Sequence, residues 1–591
     1  MQIRYKNNRL EQILIIINVL ASALVATTFI WRFGFEKPLM SVGILYGIQI
    51  FLLFVFFAEK VIRLANSFFA KEYLRVFWFE IPLFVVLIGV IGWSFHRSGD
   101  NLVVRHFAVG IYLVFQVVIK LCRTSVNFAA TGGNPTKALI ASFVVLIVAG
   151  AGLLVLPRAT TASELDFVDA LFTATSATCV TGLIVKDTGE DFTFMGQLVI
   201  LSLIQLGGLG IVVFGAVLAL LLGQALSVRE SVAMQDLIST RTMGRITHMI
   251  IFIFTGTIIF EAAGALLIYG MWDDNSGWSQ MNINQWFCSI FHSISSFCNA
   301  GFSLFSDSFI GYERSWGVFT VVCPLIILGG LGFSVLFDLF YITYDRLKRL
   351  CKKSLSRWYV VTMEAPKRMT LQTKIVLTVS GCLILIGTVL LMLFEHKVGH
   401  GSSRSGGVLG ALFQSITART AGFNTVNISA MSEPSKVILI ILMFIGGSPG
   451  STAGGIKTVT LAVLVMTIFA ALRKRNEVEI FKRSIRVAIV GRAITVIVLF
   501  ITVLFVGALS LSITERWNGF TMSDIFFEAA SALGTVGLST GITASLTSAG
   551  KVIIIAMMLI GRLGPLTLLA ALTFNLKPVK YNYPDEAIIV G

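Results

Sequence analysis

The chain has 591 residues, of which 56% are hydrophobic and only 13% charged, with a mean hydropathy of +0.86. A soluble domain normally carries about 25% charged residues, so the composition excludes an ordinary soluble globular protein and predicts an all-α polytopic protein whose solvent is the lipid bilayer. The net charge of +15 then reports topology, because Lys and Arg collect in cytoplasmic loops, and a nucleic-acid-binding surface is set aside.

From the start, the basic MQIRYKNNR is followed by apolar spans near 13–31, 42–57, 76–93 and 103–121. The first is too long for a signal peptide and lacks a small-residue cleavage pattern. Lys60, Arg63, Lys71 and Arg75 follow the second span, which puts the N-terminus in the cytoplasm. The leading bundle, 1–135, carries Glu59, Arg63, Glu80, Arg105, Lys120 and Arg123 near membrane edges. That is not the regular arginine series of a voltage sensor, and these charges are expected to snorkel to the interfaces.

A degenerate stretch then recurs four times: FTATSATCVTGL from Phe172, FHSISSFCNAGF from Phe291, ALFQSITARTAGF from Ala411 and EAASALGTVGL from Glu528. Their glycines, Gly182, Gly301, Gly422 and Gly537, are 119, 121 and 115 residues apart. That period accommodates two membrane spans and a re-entrant hairpin per copy. Four pseudo-repeats of helix, pore helix, filter loop and helix are predicted around one pore, at 136–225, 226–345, 346–475 and 476–591.

In the first repeat an outer helix near 138–156 leads to a pore helix at 164–175, an extended filter strand Cys179-Val180-Thr181-Gly182 and an inner helix at 196–222 carrying QLGGLGI. In the second, the outer helix is near 250–269, the pore segment at 284–297, the filter strand Cys298-Asn299-Ala300-Gly301 and the inner helix at 318–341, with ILGGLGF. Thr420-Ala421-Gly422 and Thr535-Val536-Gly537 are the corresponding filter segments of repeats three and four. A glycine at each closure suits a loop that points carbonyls at an ion with backbone angles a side chain forbids.

The third repeat carries the expected gate. Its inner segment, 435–472, is far longer than the ~20 residues that one crossing needs, and it is broken by Gly446-Gly447-Ser448-Pro449-Gly450-Ser451-Thr452-Ala453-Gly454-Gly455. Unpaired backbone cannot face lipid, so the break lies within protein or lines a watery cavity, where it would obstruct the pore. In the fourth inner helix, 551–574, IGRLGP buries Arg562, and the carbonyls of an unwound loop are natural partners for it. Glu261, Glu528 and Arg419 are also intramembrane by position. Arg419 directly precedes its filter and is expected to brace it through Glu528 or carbonyls, or to pair structurally.

The set TSATCVTGL, SSFCNAGF, TARTAGFNT and SALGTVGLSTG, with GGLG, PGSTAGGIKT and the ending PDEAIIVG, resembles the Trk/Ktr/HKT superfamily of potassium transporters over about 136–591. The ending looks like the Ktr membrane subunits, whereas the four leading helices depart from their eight-helix plan. The resemblance implies several further expectations. Glycine in all four filter positions goes with potassium as the transported ion. A matching arginine faces the intramembrane loop, which makes Arg562 a gate latch. The subunit pairs as a homodimer in a bacterial inner membrane, and a separate cytoplasmic ring binds regulatory nucleotides.

The predicted activity is gated, channel-like potassium uptake, with sodium- or proton-coupled symport as the alternative. Enzyme readings fare poorly: His396 and His400 do not form HExxH, and neither a Walker A lysine nor a GxGxxG after a strand occurs. The seven cysteines, Cys122, Cys179, Cys288, Cys298, Cys323, Cys351 and Cys382, lack CxxC spacing and signal neither disulfides nor zinc. No organic cofactor is expected in this chain.

Overall fold

The computed structural model describes residues 6–35, 40–69, 109, 112–113, 135–161, 165–210, 246–272, 284–313, 315–355, 368–397, 407–475 and 477–572. The third leading span, most of the fourth, the first inner helix beyond 210, the ending PDEAIIVG and His400 lie outside the described residues. Arg105, Lys120, Arg123, Arg357 and Lys367 do so as well.

The first two helices, α1 (Asn8–Phe33) and α2 (Val42–Asn66), are both long and apolar enough to cross a bilayer. Asn7 caps α1, its side chain accepting from the backbone N–H groups of Arg9 and Leu10. Glu59 and Arg63 do not snorkel as expected. Arg63 is instead largely buried, paired with Glu59 at 2.9 Å and with Glu11 of α1 at 3.2 Å. Val109, Tyr112 and Leu113 pack into the same small core with Val25 and Phe56.

Beyond this bundle the same trio of helices recurs. The outer helices are α3 (Pro135–Leu154), α6 (Ile246–Ile268), α10 (Leu371–Lys397) and α14 (Val487–Thr514). The short helices are α4 (Phe167–Thr178), α7 (Gln285–Cys298), α11 (Val408–Thr417) and α15 (Met522–Gly534). At 10 to 14 residues they span about 15–21 Å, well short of a hydrocarbon core of about 30 Å. The inner helices are α5 (Phe194–Leu209), α8 (Cys323–Leu331), α12 (Glu433–Phe444) and α16 (Ser548–Leu563), followed by α9 (Phe333–Leu355), α13 (Thr458–Leu472) and α17 (Pro565–Leu572).

Side-chain caps from Thr193, Asn284, Ser432, Thr521 and Thr547 start α5, α7, α12, α15 and α16, so sequence punctuation fixes where the chain turns back into the membrane.

Each inner helix packs on the next short helix: α5 on α7, α8 on α11, α12 on α15, and α16 back on α4. The small residues of ALFTATSAT in α4 allow close approach where lipid provides no hydrophobic drive. At two of these seams a lysine of the inner helix reaches an aspartate in the first turn of the short helix. Lys551 lies 2.5 Å from Asp169 and Lys436 lies 3.9 Å from Asp524.

One expectation is corrected here. The inner helices of repeats two and four are not continuous. α8 and α9 meet at a bend of 104° at Gly332 (φ +86°), and α16 ends at Gly564 (φ +83°) before Pro565. The basic loop after α13 folds into a hairpin, β1 (Val478–Ile480) and β2 (Arg483–Ile485) pairing antiparallel.

Candidate ion filter and gate

All four short helices end in the same backbone geometry. Val180, Asn299, Thr420 and Thr535 sit at φ of +56°, +58°, +83° and +50°, and the glycines after them at +91°, +70°, +84° and +93°. Left-handed backbone is costly for the β-branched Val180, Thr420 and Thr535, and strain of about 1–3 kcal/mol per residue persists only where surroundings impose it. The segments expected as filter strands are partly helical. Cys298 is the last residue of α7, Cys179 is the helical cap of α4, and irregular backbone follows from Thr181 and Ala300.

The glycines close a ring. A Cβ on Gly182 would run into the Ala300 carbonyl oxygen, one on Gly301 would lie 2.8 Å from that of Ala421, one on Gly422 would strike that of Val536, and one on Gly537 that of Thr181. Four carbonyls, each from the residue before a glycine, thus meet in cyclic order around one axis. The buried hydroxyls of Thr181, Thr420 and Thr535 have no hydrogen-bond partner, which fits a site that supplies oxygen ligands to a cation.

A hydroxyl in the last turns of each short helix holds the glycine segment that follows it, a role not expected from the sequence. Ser176 and Ser531 accept from the N–H of Gly182 and Gly537, both at 3.1 Å. Ser295 and Thr417 donate to the carbonyls of Phe302 at 2.8 Å and Phe423 at 2.6 Å. The signal was present as a Ser or Thr five or six residues before each glycine.

Against the ends of the second and fourth short helices lies the loop between α12 and α13, with Thr452 3.5 Å from Phe297 O and Gly454 against Thr535. A parallel bridge, Ile445 to Ile456, closes its neck, and it docks into the break of the second inner helix. The Ser448 N–H donates to Gly330 O at 3.0 Å, the Ser448 hydroxyl to Leu331 O, and the Phe333 N–H to Gly450 O at 3.0 Å.

Arg562 donates to Thr452 O in the loop and also to Gly207 O, with Gly208 O at 3.4 Å. Its expected contact with loop carbonyls is present, and the link to the first inner helix adds a second anchor. A further cation went unremarked in the sequence: Lys457 Nζ donates to Ala453 O at 2.6 Å.

The inner-helix motif also proves wider than GGLG. Gly207, Gly329 and Gly561 press against the carbonyls of Thr178, Phe297 and Leu533, where no Cβ fits. GRLG, 561–564, is thus a third copy, with Arg562 standing where the others have Gly208 and Gly330.

Arg419 and Glu528 do not meet. Arg419 donates to Ser380 O at 3.2 Å and to Ser380 Oγ at 3.1 Å, whereas Glu528 accepts from Ser539 and Thr543 in its own repeat. Of the partners expected for Arg419, Glu528 is not used and a backbone carbonyl is, that of Ser380 in α10. Glu261 accepts from Gln205 at 3.1 Å, and the Cys298 thiol lies 3.8 Å from its other oxygen.

The family model for the TrkH cation transport protein matches residues 104–579. The Ktr system potassium uptake protein B of Bacillus subtilis is 38% identical over 468 residues, covering 78% of this chain and 97% of that protein. The potassium/sodium uptake protein NtpJ of Enterococcus hirae is 34% identical, with 78% and 97% covered. The crystal structure of the potassium transporter TrkH from Vibrio parahaemolyticus matches with a TM-score of 0.56 at 19% identity, covering 84% of this chain and 98% of that one. At that identity the likeness concerns the fold.

Proposed function

Because this chain belongs to the TrkH family of cation transport proteins, we propose that it takes up potassium through a gated pore formed by four pseudo-repeats. The observation that carries this reading is the cyclic closure of Gly182, Gly301, Gly422 and Gly537 against the carbonyls of Ala300, Ala421, Val536 and Thr181. Backbone oxygens replace the hydration shell of a monovalent cation without a charged ligand. The filter comprises Cys179 to Gly182, Cys298 to Gly301, Thr420 to Gly422 and Thr535 to Gly537. The names of relatives, potassium uptake proteins in Bacillus subtilis and Vibrio alginolyticus, supply the ion.

Gly446 to Gly455 is the gate, and Arg562 holds it shut by tying Thr452 to the end of the first inner helix. Entry is driven by the negative cell interior, worth about 2.3 kcal/mol per charge per 100 mV. Two chains pair in a bacterial inner membrane, the N-terminus lies inside, and the basic surfaces of α9 and the β1–β2 hairpin receive a nucleotide-binding ring. A sodium-coupled variant of the reading draws on the name potassium/sodium uptake protein of one relative. Uptake that requires an inward sodium gradient would select it.

Rubidium uptake into liposomes holding the purified chain, intact and with Arg562→Ala, tests the gate. Loss of two charge-assisted hydrogen bonds, about 1.5–3 kcal/mol each, is expected to raise uptake at least tenfold. Unchanged or reduced uptake by correctly folded Arg562→Ala contradicts the latch.

A further inference from the structure

Three residues before each bracing hydroxyl, every short helix carries one more buried polar side chain: Thr173, His292, Gln414 and Glu528. Two residues after the filter glycines stand Ile184, Ser303, Asn424 and Ser539. In repeats two and four these positions are joined. His292 Nε2 lies 3.1 Å from Ser303 Oγ and accepts the Leu304 N–H at 3.3 Å, while its Nδ1 lies 2.9 Å from Cys288 O. An N–H donor at Nε2 fixes the neutral tautomer, with the proton on Nδ1 directed at the Cys288 carbonyl. Glu528 accepts the Ser539 hydroxyl on one oxygen and the Thr543 hydroxyl, at 3.1 Å, on the other.

In repeats one and three the positions are not joined. Thr173 donates to Asp169 O in its own helix at 2.9 Å, and neither polar atom of Gln414 has a partner. Since the glycine ring runs 182, 301, 422, 537 and back, the two tethered segments face each other across the axis.

We propose that His292 and Glu528 are positioning residues for ion selectivity, each tying the outer end of its filter segment to its own short helix through Ser303 or Ser539. The inference rests on the potassium-filter reading above. One diagonal pair of filter segments is tied at its outer end to its own short helix, whereas the third is held to the second repeat instead, the Phe309 N–H donating to Asn424 O at 3.0 Å and the Asn424 N–H to Ser308 Oγ at 3.3 Å. Whether carbonyls discriminate by ring size or by field strength, they do so only while their spacing is held, and an outer end released from its helix lets the ring adapt to sodium.

The test is rubidium and sodium uptake into liposomes holding the full chain. Ser303→Ala and Ser539→Ala each remove the serine link of one tether at a partly exposed loop position, leaving the Leu304 N–H on His292 and the Thr543 hydroxyl on Glu528, so folding is retained even where His292→Ala and Glu528→Ala are poorly expressed. Each serine variant is expected to lower rubidium-over-sodium selectivity about fivefold, as loss of one hydrogen bond would, with a higher KM for rubidium and little change in maximal rate. His292→Gln and Glu528→Gln keep an acceptor and return selectivity to within about twofold of the parent. Ser303→Ala combined with His292→Gln is no worse than Ser303→Ala alone, and Thr173→Val leaves selectivity unchanged. If the parent chain discriminates rubidium from sodium and both serine variants do so equally well, the tethers play no part in selectivity and the proposal is overturned. If the parent itself does not discriminate, the potassium-filter reading falls and takes the proposal with it.

Discussion

At Gly301 the space for a side chain is already taken: a Cβ there would lie 2.8 Å from the Ala421 carbonyl oxygen, on backbone with φ at +70°. Alanine at this position combines left-handed strain of about 1–2 kcal/mol with displacement of a ring carbonyl. Gly301→Ala is therefore expected to abolish rubidium-selective uptake while the protein still elutes as a monodisperse peak from size exclusion. Selective uptake at the parent rate would contradict the ring. The four glycines were legible in the sequence because they recur with the same neighbours. The left-handed residue two positions earlier was not, since three of the four, Val180, Thr420 and Thr535, are β-branched types that disfavour this conformation and only Asn299 tolerates it. Only the fold imposes that conformation on them. Partner choice was likewise hidden: Arg419 was as compatible with Glu528 as with the Ser380 it bonds.

At the level of elements, the seam between each inner helix and the next short helix closes the circle. The Lys551–Asp169 pair links the fourth repeat to the first, with both side chains largely buried. Lys551→Met leaves Asp169 without its partner and is expected to cost about 1.5–3 kcal/mol, read as a lower Tm in detergent, which Asp169→Asn in the same chain partly restores. An unchanged Tm would mean the pair adds nothing.

Helix existence was readable from apolar length and caps, which is why α1, α6, α12 and α16 begin close to their expected positions. Helix breaks were readable only where glycines were dense. The loop at 446–455 announced itself, whereas the 104° bend at Gly332 did not. A lone GGLG is compatible with a continuous helix, and the bend becomes favourable because Ser448 and Gly450 of the distant loop take up the freed Gly330 carbonyl and Phe333 N–H. Such long-range satisfaction of backbone groups leaves no local trace.

Across the whole molecule, charge sets orientation. Arg473, Lys474, Arg475, Lys482, Arg483 and Arg486 lie on and around the β1–β2 hairpin, and the positive-inside rule predicts that it faces the cytoplasm. On a background lacking native cysteines, Lys482→Cys is expected to react with a membrane-impermeant maleimide only after the cells are opened. Trp517→Cys, beyond the other end of α14, is expected to react in intact cells. The reverse pattern would invert the topology and with it the direction of the filter.

The central claim is that four backbone carbonyls bind the transported ion on one axis. It is tested most directly by a structure determined with rubidium in place of potassium, using anomalous scattering to locate the ion. The account predicts an anomalous peak on the axis encircled by the carbonyls of Thr181, Ala300, Ala421 and Val536, diminished when sodium replaces rubidium. Rubidium peaks found only elsewhere, with the ring empty, would contradict it.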